Sequence, residues 1–230
     1  MSVFPAELPA SLDDPEVICE HDWQAFRQLT YMENHWDRPG WNPGRRSYHW
    51  MLTFDGADEV QQLVKRCQAQ LPATKLDPVP LDALHLTIGR IGFTDEVTET
   101  SVRVIAEEAT RHLDLKPFVL SVGPLAGSSG AARFSVAPWS PLHELHQQLT
   151  VATRTVLGEH CSMETSKFRP HLSIAYANDR LPVSDLLPMY DELRTLPRTV
   201  VTVSSVDLVE LRREGPAYRY DEVHQLMLNA

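Results

Sequence analysis

Two short segments of the sequence carry the same arrangement of residues that can do acid–base chemistry. Residues 85–88 are His-Leu-Thr-Ile and residues 171–174 are His-Leu-Ser-Ile, so each has a histidine and a hydroxyl residue two positions apart. In a β-strand successive side chains point to opposite faces, which puts these two polar groups on one face and the apolar residues on the other. An imidazole titrates near neutral pH and can donate or accept a proton. The two segments are therefore candidates for a catalytic site.

The repetition of this pattern is improbable as an accident of composition. The chain has 10 histidines. A histidine followed by apolar, Ser or Thr, and apolar residues is expected about 0.2 times, and two copies have a chance of about 0.02. The alternative is that each histidine is a half-buried strand residue with its own local partners. That alternative requires two unrelated sets of partners, so we interpret the four polar residues as one site.

The elements that must position these segments occur in the same order in both halves of the chain. The spacing of apolar residues predicts strand, helix, strand, helix and strand twice, with a turn-rich stretch at 123–130 between the two sets. The first set is a strand at 48–54, a helix around 60–71, a strand at 81–91, a helix capped by Thr94 or Asp95 that runs to about 113, and a strand at 117–122. The second set is a strand at 132–137, a helix capped by Ser140 and ended by Gly158, a strand at 171–175, a helix at 184–194, a strand at 199–211 and a final strand that ends near 228.

This repetition predicts an α+β fold with two lobes, each an antiparallel-rich sheet covered by outer helices. The cleft between the lobes would bring the two polar faces together. We expect one bilobal domain at 46–230, built from half-repeats at about 46–123 and 131–230. Residues 1–45 form an N-terminal extension with a helix at 15–33, capped by Asp14, and an aromatic loop at 34–46.

The segments around the two histidines resemble a known family. Residues 84–89 (LHLTIG) and 168–174 (FRPHLSI), their histidines 86 positions apart, and the ending 208–211 (LVEL) with 218–220 (YRY) resemble the 2H phosphoesterase superfamily. That group includes 2′-5′ RNA ligase-like proteins and RNA 2′,3′-cyclic phosphodiesterases. The resemblance covers about residues 46–230 and leaves the N-terminal extension unmatched.

The resemblance implies a metal-independent phosphodiesterase without a cofactor, acting on a cyclic or 2′-linked phosphate of a nucleotide or RNA terminus. In an in-line displacement one histidine would be the general acid and the other the general base. We provisionally assign His85 as the acid and His171 as the base, and the opposite assignment stays open. Thr87 and Ser173 would hydrogen-bond the non-bridging phosphate oxygens. Two alternatives stay open, which are a nucleotide- or RNA-end-binding protein without turnover and an interaction protein whose histidine pairs are incidental.

One departure from the family pattern concerns the substrate. Many cyclic phosphodiesterases of this family have a basic residue five positions after the second histidine, where this chain has Tyr176, while Arg90 stands five positions after the first. Strict alternation places both on the faces opposite the histidines, although the twist at a strand end could still bring either of them to the cleft. Aromatic residues of the extension and first strand could stack on a base or pack the extension onto the body. The further substrate-binding candidates are Arg90, Tyr176, Phe134, Arg169 and Tyr48.

Composition limits the partners. The chain has 230 residues and a formal net charge of −10, which disfavours a long nucleic acid held by phosphate contacts. No apolar run approaches the roughly 18–20 residues that a membrane helix needs. Three scattered cysteines predict neither a disulfide framework nor a thiolate zinc site. His143 and His146 have a spacing that could bind a metal, but without a third ligand we interpret them as a polar helix face. We expect a cytoplasmic monomer that binds no membrane and no metal.

Overall fold

The computed structural model describes residues 4–37, 40–42 and 44–229 of the chain. Residues 38, 39 and 43 of the predicted aromatic loop, and the first three residues of the predicted extension, lie outside the described residues. The helices are α1 (Pro15–Arg27), α2 (Asp58–Gln68), α3 (Glu99–His112), α4 (Ser140–Leu157) and α5 (Leu187–Leu193). The strands are β1 (Tyr31–Met32), β2 (Arg46–Thr53), β3 (Leu76–Pro78), β4 (His85–Phe93), β5 (Phe118–Ser128), β6 (Ala131–Ala137), β7 (Leu172–Ala177), β8 (Leu181–Pro182), β9 (Thr199–Val203), β10 (Ser205–Glu214) and β11 (Ala217–Met227).

The strands form two large sheets and one two-stranded ribbon. The first sheet has the order β11-β10-β2-β4, the second has the order β3-β7-β6-β5-β9, and β1 pairs with β8. Every pairing between described strands is antiparallel. Helices α3 and α4 pack on the first sheet, whereas α1, α2 and α5 pack on the second. The predicted α+β class, with antiparallel sheets and outer helices, is confirmed.

Each sheet takes strands from both of the predicted half-repeats. Strand β10, late in the chain, pairs with β2 on one side and with β11 on the other. Strand β5, from the first half, pairs with β6 from the second. The single strand predicted at 199–211 is two strands, β9 and β10, which belong to different sheets. The chain therefore passes from one sheet to the other at Ser204. The motif strands β4 and β7 belong to different sheets but approach each other, with Cα atoms of one strand within 8 Å of Cα atoms of the other.

The helix ends follow local capping chemistry. Asp14 caps α1 as predicted, because its carboxylate accepts from the backbone N–H of Glu16 at 2.9 Å. The helix ends at Arg27 and not at residue 33, since the chain then enters β1. The cap of α3 is Thr98, whose hydroxyl accepts from the N–H of Ser101, so the predicted cap at Thr94 or Asp95 is wrong.

The second half shows two further differences from the predicted elements. Ser140 is the first residue of α4 and makes no capping bond through its side chain, while Gly158 ends the helix at a φ of 56° as predicted. The strand predicted at 117–122 continues as β5 to Ser128, so most of the stretch expected to be turns is strand.

The apolar residues of both motifs lie in the core. Leu86, Leu172 and Ile174 have no exposed surface and Ile88 is 1% exposed. The motif strands are therefore held by packing of their apolar faces against the core. Burial of apolar surface stabilises the fold by about 25 cal/mol for each Å² removed from water. Among the described residues, no helix combines the length and the apolarity that crossing a bilayer requires.

Candidate active site

The two motif strands meet at one cavity. His85 begins β4 and His171 immediately precedes β7, and their side chains line a cavity of about 320 Å³ together with Thr87 and Ser173. The four residues that the sequence singled out are thus brought together, although they come from opposite halves of the chain. The complete lining is His35, Trp41, His49, His85, Thr87, Arg90, His171, Ser173, Tyr176, Leu211 and Tyr218.

Both motif imidazoles are held in the same way by the backbone. Nδ1 of His85 lies 2.8 Å from the carbonyl oxygen of Ala83, and Nδ1 of His171 lies 2.8 Å from the carbonyl oxygen of Arg169. A carbonyl oxygen only accepts, so each Nδ1 carries the hydrogen and donates it. With the Nδ1 side of each ring turned to the backbone, Nε2 is the nitrogen left for chemistry in the cavity.

Burial lowers the pKa of both imidazoles. At His171, burial together with the Arg133 guanidinium lowers the pKa to about 4, against the opposing effects of the bond to the Arg169 carbonyl and of the Asp22 carboxylate. Burial also lowers the pKa of His85, and its bond to the Ala83 carbonyl opposes this shift. Without a bound anion both rings are therefore neutral at pH 7, and each Nε2 has a free lone pair.

A β-bulge at the same place in each motif changes which residues face the cavity. In the β2–β4 pairing, Met51 is opposite Thr87, but Trp50 is opposite Gly89, so Ile88 is skipped. The extra residue shifts the alternation by one and turns Arg90 to the side of Thr87. Position 89 within this bulge has no space for a larger residue, because a Cβ on Gly89 would lie 2.4 Å from the side chain of Met163.

The β6–β7 pairing repeats this arrangement. Arg133 is opposite Ser173 and Ala132 is opposite Ala175, so Ile174 is skipped. The shift turns Tyr176 to the face of Ser173. Strict alternation predicted that Arg90 and Tyr176 point away from the histidines, and the structure corrects this, because both line the cavity.

Arg133 lies beside His171 with its charge balanced by a residue of the first helix. It is 1% exposed, and its guanidinium donates to both carboxylate oxygens of Asp22 at 3.0 Å. The Ser135 hydroxyl donates to the same carboxylate at 2.6 Å. Although burial opposes ionisation, these contacts keep the pKa of Asp22 below its usual value. Helix α1 thus supplies the counter-charge of an arginine that faces the site.

Residues 4–6, which we call the N-terminal strap, pack against His171. The Phe4 ring centroid lies 4.6 Å from the imidazole centroid and 5.2 Å from Cζ of Arg133. Arg169 donates to the carbonyl oxygens of Pro5 and Ala6, at 3.3 and 2.6 Å. The guanidinium of Arg169 is committed to these and other backbone carbonyls and does not line the cavity. Its part at the site is to anchor the strap and to hold His171 through its own carbonyl.

Aromatic side chains form one end of the cavity. His35, Trp41, Tyr176 and Tyr218, which we call the aromatic end, all line it. The His35 ring stacks on Tyr176 at 4.0 Å, and its Nε2 lies 3.2 Å from the hydroxyl of Tyr218. Two of the four, His35 and Trp41, lie within the predicted N-terminal extension, so this part of the chain takes part in building the cavity.

The remaining candidates do not face the cavity. Tyr48 is 4% exposed and lies one position before His49, which does line the cavity. Phe134 is 1% exposed and is opposite Leu172, on the core face of β6, whereas its neighbour Arg133 is on the site face. His143 and His146 lie on α4 outside this cavity. In residues 4–37, 40–42 and 44–229, no group of three or more His, Cys, Asp or Glu residues is placed to hold a metal.

Sequence reasoning missed several lining residues. His35, His49, Leu211 and Tyr218 line the cavity without belonging to either motif. Each of the two histidines stands alone, without a hydroxyl residue two positions later, so a search for repeated pairs passes over them. The one available signal for His49 is its place as a polar residue inside the strongly apolar and aromatic segment 48–54 (YHWMLTF).

Comparisons with known proteins identify a family and a fold. The family model of the 2′-5′ RNA ligase superfamily matches residues 56–215. No curated protein matches the chain.

Several solved structures share the fold. The crystal structure of a phosphoesterase is 18% identical, with a TM-score of 0.61 over 82% of this chain and 100% of its own. Escherichia coli LigT complexed with 3′-AMP is 18% identical, with a TM-score of 0.59 over 81% and 99% of the two chains. TT0787 of Thermus thermophilus is 20% identical, with a TM-score of 0.58 over 80% and 97%. At these identities the likeness shows the fold.

Proposed function

The chain belongs to the 2′-5′ RNA ligase superfamily, and we propose that it is a metal-independent phosphodiesterase that hydrolyses a cyclic or 2′-linked phosphate on a nucleotide or RNA terminus. Membership of the superfamily supports phosphoesterase activity in general. The observation that supports the specific proposal is the cavity in which two backbone-anchored imidazoles and two hydroxyls converge. Residues 46–230 would be the catalytic domain and residues 1–45 an extension that completes the cavity.

The proposed reaction needs two proton transfers at one phosphorus atom. Nε2 of His171 takes a proton from water as the water oxygen bonds to phosphorus. The bond from phosphorus to the leaving ribose oxygen breaks, and Nε2 of His85, protonated before the reaction, gives that oxygen its proton. Such acid–base assistance is worth roughly 10²–10⁴-fold for each step. The positive charge of Arg133 disfavours protonation of His171, which supports assigning His171 as the base and His85 as the acid.

The other lining residues could bind the phosphate oxygens and the base of a nucleotide. The Thr87 and Ser173 hydroxyls would donate to the non-bridging oxygens and hold the phosphorus between the two rings. Arg90 is an exposed cation at the cavity. The aromatic end would stack on a base, as aromatic side chains do in single-stranded recognition. LigT has been crystallised with 3′-AMP and with phosphate, which supports a nucleotide ligand for this chain.

Size and charge favour a small or terminal substrate. A cavity of about 320 Å³ lies at the low end of the range of roughly 300–1,000 Å³ for small-molecule sites. The net charge of −10 disfavours a long polyanion. We therefore propose one nucleotide unit or one RNA end as the substrate of a cytoplasmic, monomeric enzyme.

The test is a substrate panel with matched histidine variants. Purified protein is assayed on 2′,3′-cyclic nucleotides, ADP-ribose cyclic phosphate and 2′-5′ oligonucleotides, with and without excess chelator. We expect turnover of at least one substrate in chelator. We expect His85→Ala and His171→Ala each to lower kcat by about 10²–10⁴-fold, because each removes one proton transfer.

The controls separate this proposal from its alternative. Circular dichroism must show that both variants fold, and His112→Ala, at a histidine whose side chain is 62% exposed on α3, should keep full activity. Binding without turnover on every compound would favour the alternative, a nucleotide- or RNA-end-binding protein of the same fold. Loss of activity in chelator that zinc restores would contradict metal independence.

A further inference from the structure

A second cavity adjoins the proposed active site, and the two cavities share one arginine. The second cavity, which we call the side pocket, has a volume of about 320 Å³. Arg90 of β4 lines both cavities. The complete lining of the side pocket is Gly89, Arg90, His146, Ser162, Met163, Glu164, Lys167 and Phe168. The reaction proposed above gives this pocket no role.

The side pocket forms where the segment before the second motif packs on the strand of the first. Residues 162–168 precede the second motif, and Met163 lies against Gly89 of β4, where no space remains for a Cβ. Helix α4 contributes His146, whose ring stacks on Phe168 at 4.6 Å. The pocket is therefore built by elements that the core holds in place, and it lies beside the catalytic cavity.

The side pocket has an apolar interior and charged groups at its opening. Met163 is 3% exposed and Phe168 is 8% exposed. The Lys167 side chain is 77% exposed, and its ammonium lies 2.8 Å from the carboxylate of Glu164. An ammonium has three N–H donors, so donors of Lys167 remain for a second acceptor. The pocket is thus open to water and can combine apolar contact inside with an anion at its rim.

Arg90, between the two cavities, is a cation that no acidic residue of the described ranges neutralises. Its side chain is exposed and makes neither a hydrogen bond nor an ion pair there, and its Cζ lies 5.0 Å from the ring centroid of Phe93. A guanidinium presents N–H donors in a planar fork that matches the oxygens of a phosphate. Thr87, the proposed ligand of the reacting phosphate, lies three residues earlier, at roughly 10 Å along the strand. A phosphate at Arg90 would therefore be a second phosphate of the substrate.

We propose that the side pocket is a subsite for the nucleotide that precedes the reacting one, with the phosphate that connects the two bound by Arg90 and Lys167. This inference rests on the proposed function, since it assumes that the reacting phosphate lies between His85 and His171. It selects the end of an RNA chain over a free mononucleotide as the substrate class. The Glu164 carboxylate repels the connecting phosphate, so loss of its charge should strengthen binding.

The experiment measures binding of three stable compounds and needs no turnover. Adenosine 3′-monophosphate, adenosine 3′,5′-bisphosphate and the dinucleotide adenylyl-(3′→5′)-adenosine 3′-monophosphate are titrated by calorimetry into the parent protein. We expect the bisphosphate and the dinucleotide to bind roughly 5-fold more tightly than the monophosphate, the upper effect of one exposed ion pair. The dinucleotide should bind at least as tightly as the bisphosphate, although its second phosphate carries less charge, because its additional nucleoside buries apolar surface in the side pocket.

Variants of the charged residues should change the preference for the dinucleotide over the monophosphate in opposite directions. Arg90→Gln and Lys167→Gln should each lower this affinity ratio, whereas Arg90→Lys should keep part of it because the charge remains. Glu164→Gln should raise the ratio by roughly 2- to 5-fold, a gain that misfolding cannot produce. The matched control is Arg111→Gln, at an arginine that is 57% exposed on α3 and outside both cavities, and it should keep the parent's ratio.

The outcomes distinguish this inference from the proposed function. Equal affinity of the parent for all three compounds, or tighter binding of the bisphosphate than of the dinucleotide, would overturn the subsite and leave the phosphodiesterase proposal standing. A ratio that Arg90→Gln does not lower, or that Arg111→Gln lowers equally, would do the same. If neither adenosine 3′-monophosphate nor inorganic phosphate binds at millimolar concentration, the phosphate site between His85 and His171 is absent and both proposals fail.

Discussion

At the scale of single residues, the two motif histidines are held by the same kind of hydrogen bond to the backbone. Each imidazole donates from Nδ1 to the carbonyl oxygen two residues earlier in the chain, that of Ala83 or of Arg169. This contact fixes the tautomer and the ring orientation without a side-chain partner. A carboxylate in that position would stabilise the imidazolium form, whereas a neutral carbonyl does so only weakly. The protein thus keeps both rings easy to deprotonate.

The neutral backbone partner and the burial of both rings affect the pH dependence of kcat/KM, which reports the ionisation of groups in the free enzyme. The proposed base His171 must be neutral and the proposed acid His85 protonated. Burial, with Arg133, lowers the pKa of His171 to about 4, and burial lowers that of His85. We expect the maximum of kcat/KM to lie below pH 6.5, because His85 loses its proton above its lowered pKa. Rates measured from pH 4 to 9 would check this, and a maximum above pH 7.5 would contradict it.

The profile of kcat should differ from that of kcat/KM. A bound phosphodiester carries a negative charge between the two rings, and an adjacent opposite charge favours the imidazolium form. The bell-shaped profile of kcat should therefore lie at higher pH than that of kcat/KM. Identical profiles would mean that the anion does not approach the two histidines.

The sequence alone predicted the four motif residues because each pair repeats. It could not predict His35 or His49, because a lone histidine in a strand or loop carries no spacing that separates a lining residue from a core residue. Phe134 does not line the cavity, because it is opposite Leu172 on the core face of β6, whereas its neighbour Arg133 is opposite Ser173. The alternation of Arg133 and Ser135 with Phe134 and Val136 separates the two faces of this strand, but it does not show which face meets the cavity.

At the scale of elements, the paired bulges explain why strict alternation misplaced Arg90 and Tyr176. Ile88 and Ile174 occupy the same place in the two motifs, and each is the extra residue in its strand pairing. A bulge depends on the register with the neighbouring strand, which the sequence of one strand does not show. The same reason applies to the predicted strand at 199–211, which is unbroken in its apolar pattern but changes partner sheets at Ser204.

The N-terminal strap is an element whose effect on the site can be measured. Burial is the largest cause of the lowered pKa of His171, and Phe4 supplies part of that burial. We expect Phe4→Ala, and more strongly deletion of residues 1–6, to raise the pKa of His171 towards its ordinary value of about 6.5. The acid limb of kcat/KM should then move to higher pH, since the base must be deprotonated. Nuclear magnetic resonance titration of the His171 ring checks this directly.

The matched control for the strap is a variant that keeps a large apolar side chain at position 4. Phe4→Leu retains an apolar side chain beside His171 and should leave the titration within a few tenths of a unit of the parent's. If Phe4→Ala also leaves the titration unchanged, the strap does not desolvate His171, and the burial of this ring comes from the strands alone.

At the scale of the whole molecule, the buried histidines connect stability to pH. Burial is the first cause of the lowered pKa of His49, at about 3, and of His146 and His171, each at about 4. In the unfolded chain each ring titrates near 6.5. Between pH 6.5 and 4 the unfolded state therefore binds more protons than the folded state, and the stability falls as the pH falls. Above pH 6.5 these rings are neutral in both states and contribute no slope.

We therefore expect acid to destabilise the protein well above the range in which carboxylates titrate. Three such rings together should lower the free energy of unfolding by roughly 3–4 kcal/mol between pH 6 and pH 5. For a chain of this size that corresponds to a fall in Tm of roughly 10 °C. Thermal unfolding at constant ionic strength measures it. His146→Gln removes one ring, outside the proposed active site and bonded to Thr165 at 2.8 Å, and should reduce the slope by about a third even if it lowers Tm at every pH. A Tm that stays constant from pH 7 to 5 would show that these rings take up protons in the folded state as readily as in the unfolded chain.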